Sequence, residues 1–275
     1  MTTQTSLPLT MRSTAHAPDS LLETTHVEIT HVEITRGTLL RGQIHYAQFI
    51  HGYRTSLEPI LMAAAIPAKS GQSVLEIGCG AGAGLLCLLK RTTGVHGTGI
   101  EQDAATAELA RHNLRENGWH NTPILTASFP EACTSLKSFD HCMANPPWHP
   151  RNSSSSPTPR RDLARRLGTD TLSSWIHGSA SILRHKGTLT LSLPATLVAQ
   201  AITALQKAQF GDITLYPFWP QIGKSARITL IRARLGLRSP SRIMAGMVLH
   251  EADGSLTKAA RSVLDNAAPL PGLHG

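Results

Sequence analysis

Cysteine and aromatic residues are scarce in this 275-residue chain, and long apolar runs are absent. The four cysteines form no C-x-x-C pair and no zinc spacing, which indicates buried or incidental thiols in a reducing compartment. No apolar run reaches the roughly 18 residues that a membrane-spanning helix needs. The N-terminus also lacks the basic-then-apolar pattern of a secretory signal, so we expect a cytoplasmic protein.

Acidic residues are outnumbered. The chain has 26 Lys and Arg against 18 Asp and Glu, a formal net charge of +8 and a pI near 9.7. Such an excess favours a polyanionic partner, although many basic proteins bind no nucleic acid. The hydrophobic share of 41% is that of a globular protein and not of a disordered one.

The first 35 residues differ from the rest of the chain. They are rich in Thr, Ser and Pro, and they contain the tandem repeat HVEIT at 26–30 and 31–35. The alternation inside the repeat is compatible with a strand as well as with a tail. The composition predicts a disordered or weakly ordered segment over 1–35 and a single domain over 36–275.

Short apolar strands alternate with amphipathic helices from Ser56 onward. Ser56 is expected to cap a helix that ends near Pro67, and Asp103 to cap one that ends at Gly118. The alternation predicts an α/β fold with a doubly wound, mostly parallel sheet in three layers. The predicted strands are 74–77, 95–100, 124–127, 139–144, 188–193, 213–216 and 226–232, and later helices are expected at about 171–184 and 195–209.

A glycine-rich segment, GCGAGAG at 78–84, follows the strand 74–77. Such a turn brings bare backbone close to a ligand, and an acidic residue about 20 positions later, here Glu101, accepts hydrogen bonds from ribose hydroxyls. Gly78 and Gly80 also satisfy the dinucleotide-binding motif, and a purely structural turn has the same appearance. Glu76, just before the glycines, suits the cationic amino-acid end of S-adenosylmethionine better than a pyrophosphate.

The tetrapeptide Asn145-Pro146-Pro147-Trp148 follows the strand 139–144, where ligands bind in open α/β sheets. Prolines fix the backbone and lack N–H donors, so they leave carbonyl acceptors. An amide beside such a carbonyl can accept both hydrogens of a planar –NH2 group, and Trp148 offers a stacking face. The alternative is a proline-rich loop with an incidental Trp. The glycine loop upstream favours the functional interpretation.

These motifs carry a resemblance to a known family. VLEIGCGAG and NPPW resemble the amino-group methyltransferases, which share [DN]-P-P-[YFW]. The region 43–65, the stretch MANPPWH, and MVLHEADGSLT at 247–257 resemble the bacterial tRNA1(Val) adenine-N6 methyltransferase family, over most of residues 36–265. The resemblance implies a Rossmann-like class I fold, S-adenosylmethionine as cofactor, and methylation of the adenine immediately 3′ of the anticodon in a valine tRNA.

The resemblance also implies roles for individual residues. Many relatives carry Gly-Asp after the third strand of the sheet to hold the cofactor's adenine, whereas this chain has Ala-Ser-Phe at 127–129, so Ser128 is a weaker candidate for that contact. Trp148 replaces the commoner Tyr or Phe and keeps a stacking face. The implied cofactor-binding residues are Glu76, Gly78, Gly80, Glu101, Ser128, Tyr53 and Arg54, and the implied catalytic residues are Asn145, Pro146, Pro147 and Trp148.

Two groups of basic residues suit contacts with RNA phosphates. Ordinary solvated surface charge is the alternative, and for the second group it is equally compatible. The first group, beside the NPPW motif, is Arg151, Arg160, Arg161, Arg165 and Arg166. The second is Lys224, Arg227, Arg232, Arg234, Arg238 and Arg242.

The expected partner is a tRNA substrate, with no metal and no membrane, and both a monomer and a homodimer remain open. Three other functions also fit the motifs. A protein-glutamine N5 methyltransferase and an RNA guanine-N2 methyltransferase use the same NPP arrangement, and an RNA-binding module would retain only the fold. A nicotinamide oxidoreductase is a more distant alternative.

Overall fold

The structure is a computed structural model that describes residues 28–29, 32–51, 54–136, 138–146 and 169–273. Its strands are β1 (Glu28–Ile29), β2 (Val32–Leu39), β3 (Ile44–Phe49), β4 (Ser73–Ile77), β5 (His96–Glu101), β6 (Ile124–Thr126), β7 (Phe139–Ala144), β8 (Leu183–Pro194), β9 (Phe210–Trp219), β10 (Ile228–Leu235), β11 (Arg242–Ile243) and β12 (Met247–Val248). Its α-helices are α1 (Glu58–Ala65), α2 (Ala83–Arg91), α3 (Ala104–Glu116), α4 (Thr169–Ile182), α5 (Val198–Lys207) and α6 (Lys258–Asn266). Two short 3₁₀ helices span Glu131–Ser135 and Ala195–Leu197.

The main sheet has the strand order β11-β9-β10-β8-β7-β4-β5-β6, with β12 beside β9. Strands β8, β7, β4, β5 and β6 are parallel neighbours, and β10 runs antiparallel between β8 and β9. The strand order reverses between β4 and β7, and ligands bind in the crevice at the carboxyl ends of strands at such a point. The predicted doubly wound, mostly parallel sheet is confirmed.

Alternating residues of the central strands face two core clusters, one on each side of the main sheet, and a third, smaller cluster lies against β2 and β3. In β4, Val74 faces the cluster that contains the buried residues of α1, α2, α3 and α6. Leu75 and Ile77 face the cluster that contains those of α4 and α5. The arrangement is the three-layered one expected from the sequence. No helix in the described ranges is long and apolar enough to cross a bilayer.

The two predicted helix caps have different outcomes. The carboxylate of Asp103 accepts a hydrogen bond from the backbone N–H of Thr106 at 2.9 Å, so this cap is confirmed. The prediction for Ser56 is wrong, because α1 begins at Glu58 with Leu57 in the cap position. Pro59 explains the later start, since proline is favoured in the first turn, where its missing N–H costs nothing.

The HVEIT repeat pairs with itself. Glu28 of the first copy is opposite Glu33 of the second, in an antiparallel pair. Strand β2 then continues along β3, starting at the pair Ile34–Phe49. The boundary expected at residue 35 therefore falls inside β2, because Ile34 is fully buried with Phe49 and Leu109. Residues 1–27 lie outside the described part of the chain.

Asn113 of α3 and Asn117, the C-cap residue of that helix, bind the edge of β3 that β2 leaves open. The Asn113 side chain accepts from the N–H of Ala47 and donates to its carbonyl, both at 2.9 Å. Asn117 bonds in the same two ways to His45, at 2.9 and 2.7 Å. Asn113 also donates to the carbonyl of Ala81 in the glycine loop at 2.9 Å. The N-terminal hairpin is thus joined to both α3 and the glycine loop.

Candidate cofactor and substrate site

The register of the sheet brings the predicted site residues together. Ile77 of β4 pairs with Ala144 of β7 on one side and with Ile100 of β5 on the other. Gly78 follows Ile77, Asn145 follows Ala144, and Glu101 follows Ile100. Neighbouring strands lie roughly 4.8 Å apart, so the glycine loop sits directly between the first residue of the NPPW motif and the acidic residue of β5.

The glycine loop has left-handed backbone at alternate residues. The φ angles of Gly78, Gly80 and Gly82 are +65°, +55° and +88°, a region that side-chain-bearing residues rarely adopt. A Cβ on Gly80 would meet no atom within 4 Å, whereas one on Gly78 would lie 2.9 Å from the indole of Trp175. The loop is therefore open to a ligand at Gly80 and closed by α4 at Gly78.

The Glu101 carboxylate is fixed by backbone donors. The N–H of Gly80 donates to Oε2 at 3.1 Å, and the N–H of Asp103 donates to Oε1 at 2.9 Å. Burial raises the pKa of Glu101 in spite of these hydrogen bonds, which act in the opposite direction. A carboxylate has about four acceptor positions, and the N–H of Gln102 also contributes a hydrogen bond, so the two oxygens retain capacity for a ribose hydroxyl.

Glu76 lies behind the glycine loop, with 3% of its surface exposed. Its carboxylate accepts a hydrogen bond from the N–H of Leu85 in the first turn of α2, while Oε2 has no partner among the described residues. Burial raises the pKa of Glu76 to about 8, and the neighbouring Glu101 adds to the shift. An unpaired buried carboxylate oxygen suits a cationic group, which agrees with the expected contact to the amino-acid end of S-adenosylmethionine.

Asn145 and Pro146 are the part of the NPPW motif that the structure describes. Asn145 is partly buried and Pro146 is buried. No side-chain hydrogen bond joins Asn145 to the described residues, and its role toward a substrate remains a prediction. The remaining predicted residues outside the described ranges are Pro147, Trp148, Tyr53, Arg151, Arg160, Arg161, Arg165 and Arg166.

Arg54 and Ser128 are both exposed. Arg54 precedes Thr55, whose hydroxyl lies 2.6 Å from the Tyr46 hydroxyl and whose N–H donates to Gln48 at 3.1 Å. Strand β3 thereby fixes the position of the segment that carries Arg54. Ser128 follows β6, the neighbour of β5, so it lies on the Glu101 side of the site. Their contacts with the cofactor remain predictions.

Sequence reasoning missed Asn113 and Trp175. Asn113 is 1% exposed and interrupts the apolar stripe formed by Ala107, Ala110 and Leu114. A polar residue inside an apolar stripe is the available signal that it has a buried partner. Trp175 of α4 packs on Gly78 and against Phe129. No spacing rule in the sequence connects it to the glycine loop.

The second basic group separates into different environments. Arg232 donates to the carbonyls of Ala65 and Leu273, so its role is structural. Arg234 and Arg242 are ion-paired with Asp212, at 3.8 and 3.2 Å. The members not involved in such contacts are Lys224, Arg227 and Arg238, all of them exposed. Within the described ranges, no group of three or more His, Cys, Asp or Glu could hold a metal ion.

Comparison with known proteins decides the family. The family model of the methyltransferase small domain matches residues 59–215, more than half of the chain. The chain belongs to this family. This methyltransferase is 24% identical over 222 residues to the tRNA1(Val) (adenine(37)-N6)-methyltransferase of Shewanella baltica strain OS195, covering 78% of this chain and 92% of that protein. It is 26% identical over 223 residues to the protein of the same name from Haemophilus influenzae, covering 79% and 92%.

Among solved structures, a predicted O-methyltransferase from Agrobacterium tumefaciens superposes on this methyltransferase with a TM-score of 0.64. The two are 22% identical, and the match covers 77% of this chain and 97% of the other. At this identity the likeness shows the fold. The family match and the glycine loop together indicate S-adenosylmethionine as the methyl donor, and the family resemblance expected from the motifs is confirmed.

Proposed function

We propose that this methyltransferase transfers a methyl group from S-adenosylmethionine to N6 of the adenine at position 37 of a valine tRNA. The observation that carries the proposal is the position of Asn145, level with Gly78 on the adjacent strand. The amide that would hold the target amine is thereby next to the loop that would hold the cofactor. The two relatives described above bear the name of this activity.

Residues of the site fit the two ends of the cofactor. Glu76 would accept the ammonium group of the methionine part, and Glu101 would accept a ribose hydroxyl. The open space beside Gly80 would admit the ligand close to the backbone. Bound there, S-adenosylmethionine supplies an electrophilic methyl group on a sulfonium centre.

Asn145 and Pro146 would act on the substrate amine. The exocyclic nitrogen of adenine is a poor nucleophile because its lone pair is delocalised into the ring. Acceptance of both amine hydrogens, by the Asn145 side-chain oxygen and the Pro146 carbonyl, localises the lone pair and directs it at the methyl group. Alignment of this kind can lower a barrier by several kcal/mol. No covalent enzyme intermediate is needed, and the proton leaves to water after transfer.

The target base must leave its stack to reach Asn145. An anticodon-loop base does so at lower cost than a base in a duplex. Trp148 would stack on the extruded ring, and the arginines at 151, 160, 161, 165 and 166 would contact RNA phosphates. An enzyme acting on tRNA would work in the cytoplasm.

Incubation with methyl-labelled S-adenosylmethionine and total tRNA, followed by nucleoside analysis, tests the proposal. We expect label in N6-methyladenosine and, after sequencing of the labelled species, at position 37 of a valine tRNA. Label in N2-methylguanosine would preserve the mechanism and overturn the choice of base. Label on protein glutamine alone would remove RNA as the substrate. Binding of tRNA with no methyl transfer would indicate a module that retains only the fold.

A further inference from the structure

The loop between β9 and β10, residues 220–227, lies on the same edge of the sheet as the candidate site. Ile228, the first residue of β10, pairs with Phe218 of β9 and with Pro194 at the end of β8. Strand β8 is in turn the parallel neighbour of β7, where Leu191 pairs with Ala144. Adjacent strands are separated by roughly 4.8 Å, so the start of β10 is about 10 Å across the sheet from β7, which leads into Asn145.

Two unpaired cations project from this loop. Lys224 and Arg227 are exposed, and neither has an acidic partner among the described residues. Arg234 and Arg242, by contrast, share the carboxylate of Asp212, which neutralises part of their charge. The antiparallel direction of β10 causes this separation, because it carries the chain away from the site edge after Arg227.

The loop also exposes an apolar side chain to solvent. Ile222, two residues before Lys224, is 83% exposed and is the most exposed large hydrophobic residue in the described ranges. An apolar side chain beside cations matches the alternation of bases or sugars with phosphates along a nucleic-acid strand.

The loop is held in place by its backbone and is therefore preformed. The N–H of Ala195 donates to the carbonyl of Arg227 at 2.9 Å, and the N–H of His250 donates to that of Pro220 at 3.0 Å. The Gln221 side chain donates to the carbonyl of Glu251 at 3.0 Å. A preformed loop loses little conformational freedom on binding.

The turn at 251–254, which contacts the loop through Gln221, carries two acidic residues. Glu251 uses its backbone carbonyl in that contact, and the carboxylate of Asp253 accepts a hydrogen bond from the N–H of Ser255 at 2.9 Å. Both side chains reduce the local positive potential without pairing with Lys224 or Arg227.

We propose that the 220–227 loop binds the RNA strand beside the target adenosine, with Lys224 and Arg227 on phosphates and Ile222 against a sugar or base. The inference rests on the proposed tRNA substrate. It adds a contact surface on the β8–β10 side of Asn145, formed by residues other than the arginines at 151–166.

Binding of tRNA by the full-length protein at a series of salt concentrations tests this. In the variant Lys224→Ala/Arg227→Ala we expect affinity to fall on the order of tenfold and the slope of log K against log salt to decrease by about 1.4, or about 0.7 per phosphate contact on a single strand. Ile222→Ala should weaken binding several-fold with an unchanged slope, because an apolar contact releases no counterions. Affinity for S-adenosylmethionine should stay unchanged in both.

The matched control is Lys186→Ala/Lys207→Ala. It removes two positive charges from exposed positions at the opposite edge, near the start of β8 at Leu183 and of β9 at Phe210. It should bind tRNA with the slope of the unaltered protein. Equal effects in the two double variants, or an unaltered slope in Lys224→Ala/Arg227→Ala, would overturn the inference.

The unaltered protein is assayed in parallel for methyl transfer. Formation of N6-methyladenosine with no effect of the loop variants refutes the inference alone. Absence of N6-methyladenosine together with a reduced slope in the loop variant refutes the proposed function alone. Absence of salt-dependent tRNA binding refutes both.

Discussion

The backbone N–H of Gly80 donates a hydrogen bond to the carboxylate of Glu101 at 3.1 Å. The two residues belong to different segments, the loop after β4 and the end of β5. Because they are the predicted contacts for opposite parts of S-adenosylmethionine, the hydrogen bond fixes their separation before any ligand is bound. Such preorganisation reduces the entropy that is lost on binding.

Gly80→Val should abolish binding of S-adenosylmethionine. The new side chain would fill the open space next to Gly80 and would also strain a backbone at φ +55°. Gly118→Val is the control, since Gly118 has φ +86° and equally open surroundings but follows α3, away from the site. Each variant should lose about 1–2 kcal/mol of stability from the left-handed backbone. Calorimetry should show that only Gly80→Val loses the ligand, and equal binding by the two would place the ligand elsewhere.

Glu76 should make the ligand-free protein less stable as the pH rises. Its pKa is about 8 in the folded protein, against an ordinary value of 4.5. Between these values the folded protein holds a proton that the unfolded chain has lost, so the free energy of unfolding decreases with pH up to about 8 and then levels off. Glu76→Gln has no such group and should show a flatter profile. Urea unfolding at several pH values between about 6 and 9 measures this, and parallel profiles would contradict it.

Asn145→Ala should remove methyl transfer and leave cofactor binding intact. The amide is next to the glycine loop but makes no hydrogen bond to the described residues, so the fold does not depend on it. Loss of one hydrogen bond made in the transition state costs on the order of 100-fold in turnover or more. Single-turnover transfer to tRNA and calorimetry with S-adenosylmethionine give the two readouts. A fully active Asn145→Ala enzyme would mean that the catalytic site lies elsewhere.

Asn113→Ala should destabilise the protein far more than Asn117→Ala. Removal of the Asn113 amide leaves the N–H and carbonyl of Ala47 and the carbonyl of Ala81 without that partner. Each buried backbone group left unpaired costs roughly 1–3 kcal/mol, so we expect a loss of about 3 kcal/mol or more in the free energy of unfolding. The bonds of Asn117 to His45 are more exposed, and water can replace them. Similar unfolding midpoints for both variants would refute this ranking.

Deletion of residues 1–27 should leave stability nearly unchanged, whereas deletion of 1–35 should lower it. The longer deletion removes Ile34, which is fully buried against Phe49 and Leu109, and shortens β2. Burial of an isoleucine side chain contributes about 1.5–3 kcal/mol. Thermal unfolding of the two truncated proteins checks the difference. Equal melting temperatures would show that the first half of β2 contributes little.

The sequence pattern was sufficient to predict features that depend on residues close together in the chain or on the order of the strands. The strand Phe139–Ala144 was predicted with its exact bounds, because the segment ends in apolar residues directly before Asn145 and two prolines. The Asp103 cap was predictable for the same reason, since the residue that starts a helix contacts its own next turn. Gly78, Glu101 and Asn145 come together because parallel strands place their carboxyl ends on one edge.

Contacts between distant segments were not predictable in this way. The spacing of Arg227 and Arg234 in the sequence does not reveal that β10 carries them to opposite ends of the sheet. The sequence shows Asn113 only as a polar residue within a helix, and it does not reveal the hydrogen bonds of its side chain to the backbone of Ala47. The Ser56 cap was wrong because the rule for cap residues competes with the preference of Pro59 for the first turn.

Strand β3 is at the edge of the three-stranded sheet, where free N–H and carbonyl groups commonly recruit a strand from another molecule. Asn113 and Asn117 occupy these groups at Ala47 and His45, so two helix side chains do what a further strand would do. The helix offers no further row of free backbone N–H and carbonyl groups, so no additional strand can pair there. The β3 edge of the hairpin is therefore blocked against edge-to-edge association, without the charged or proline residues that exposed edges usually need.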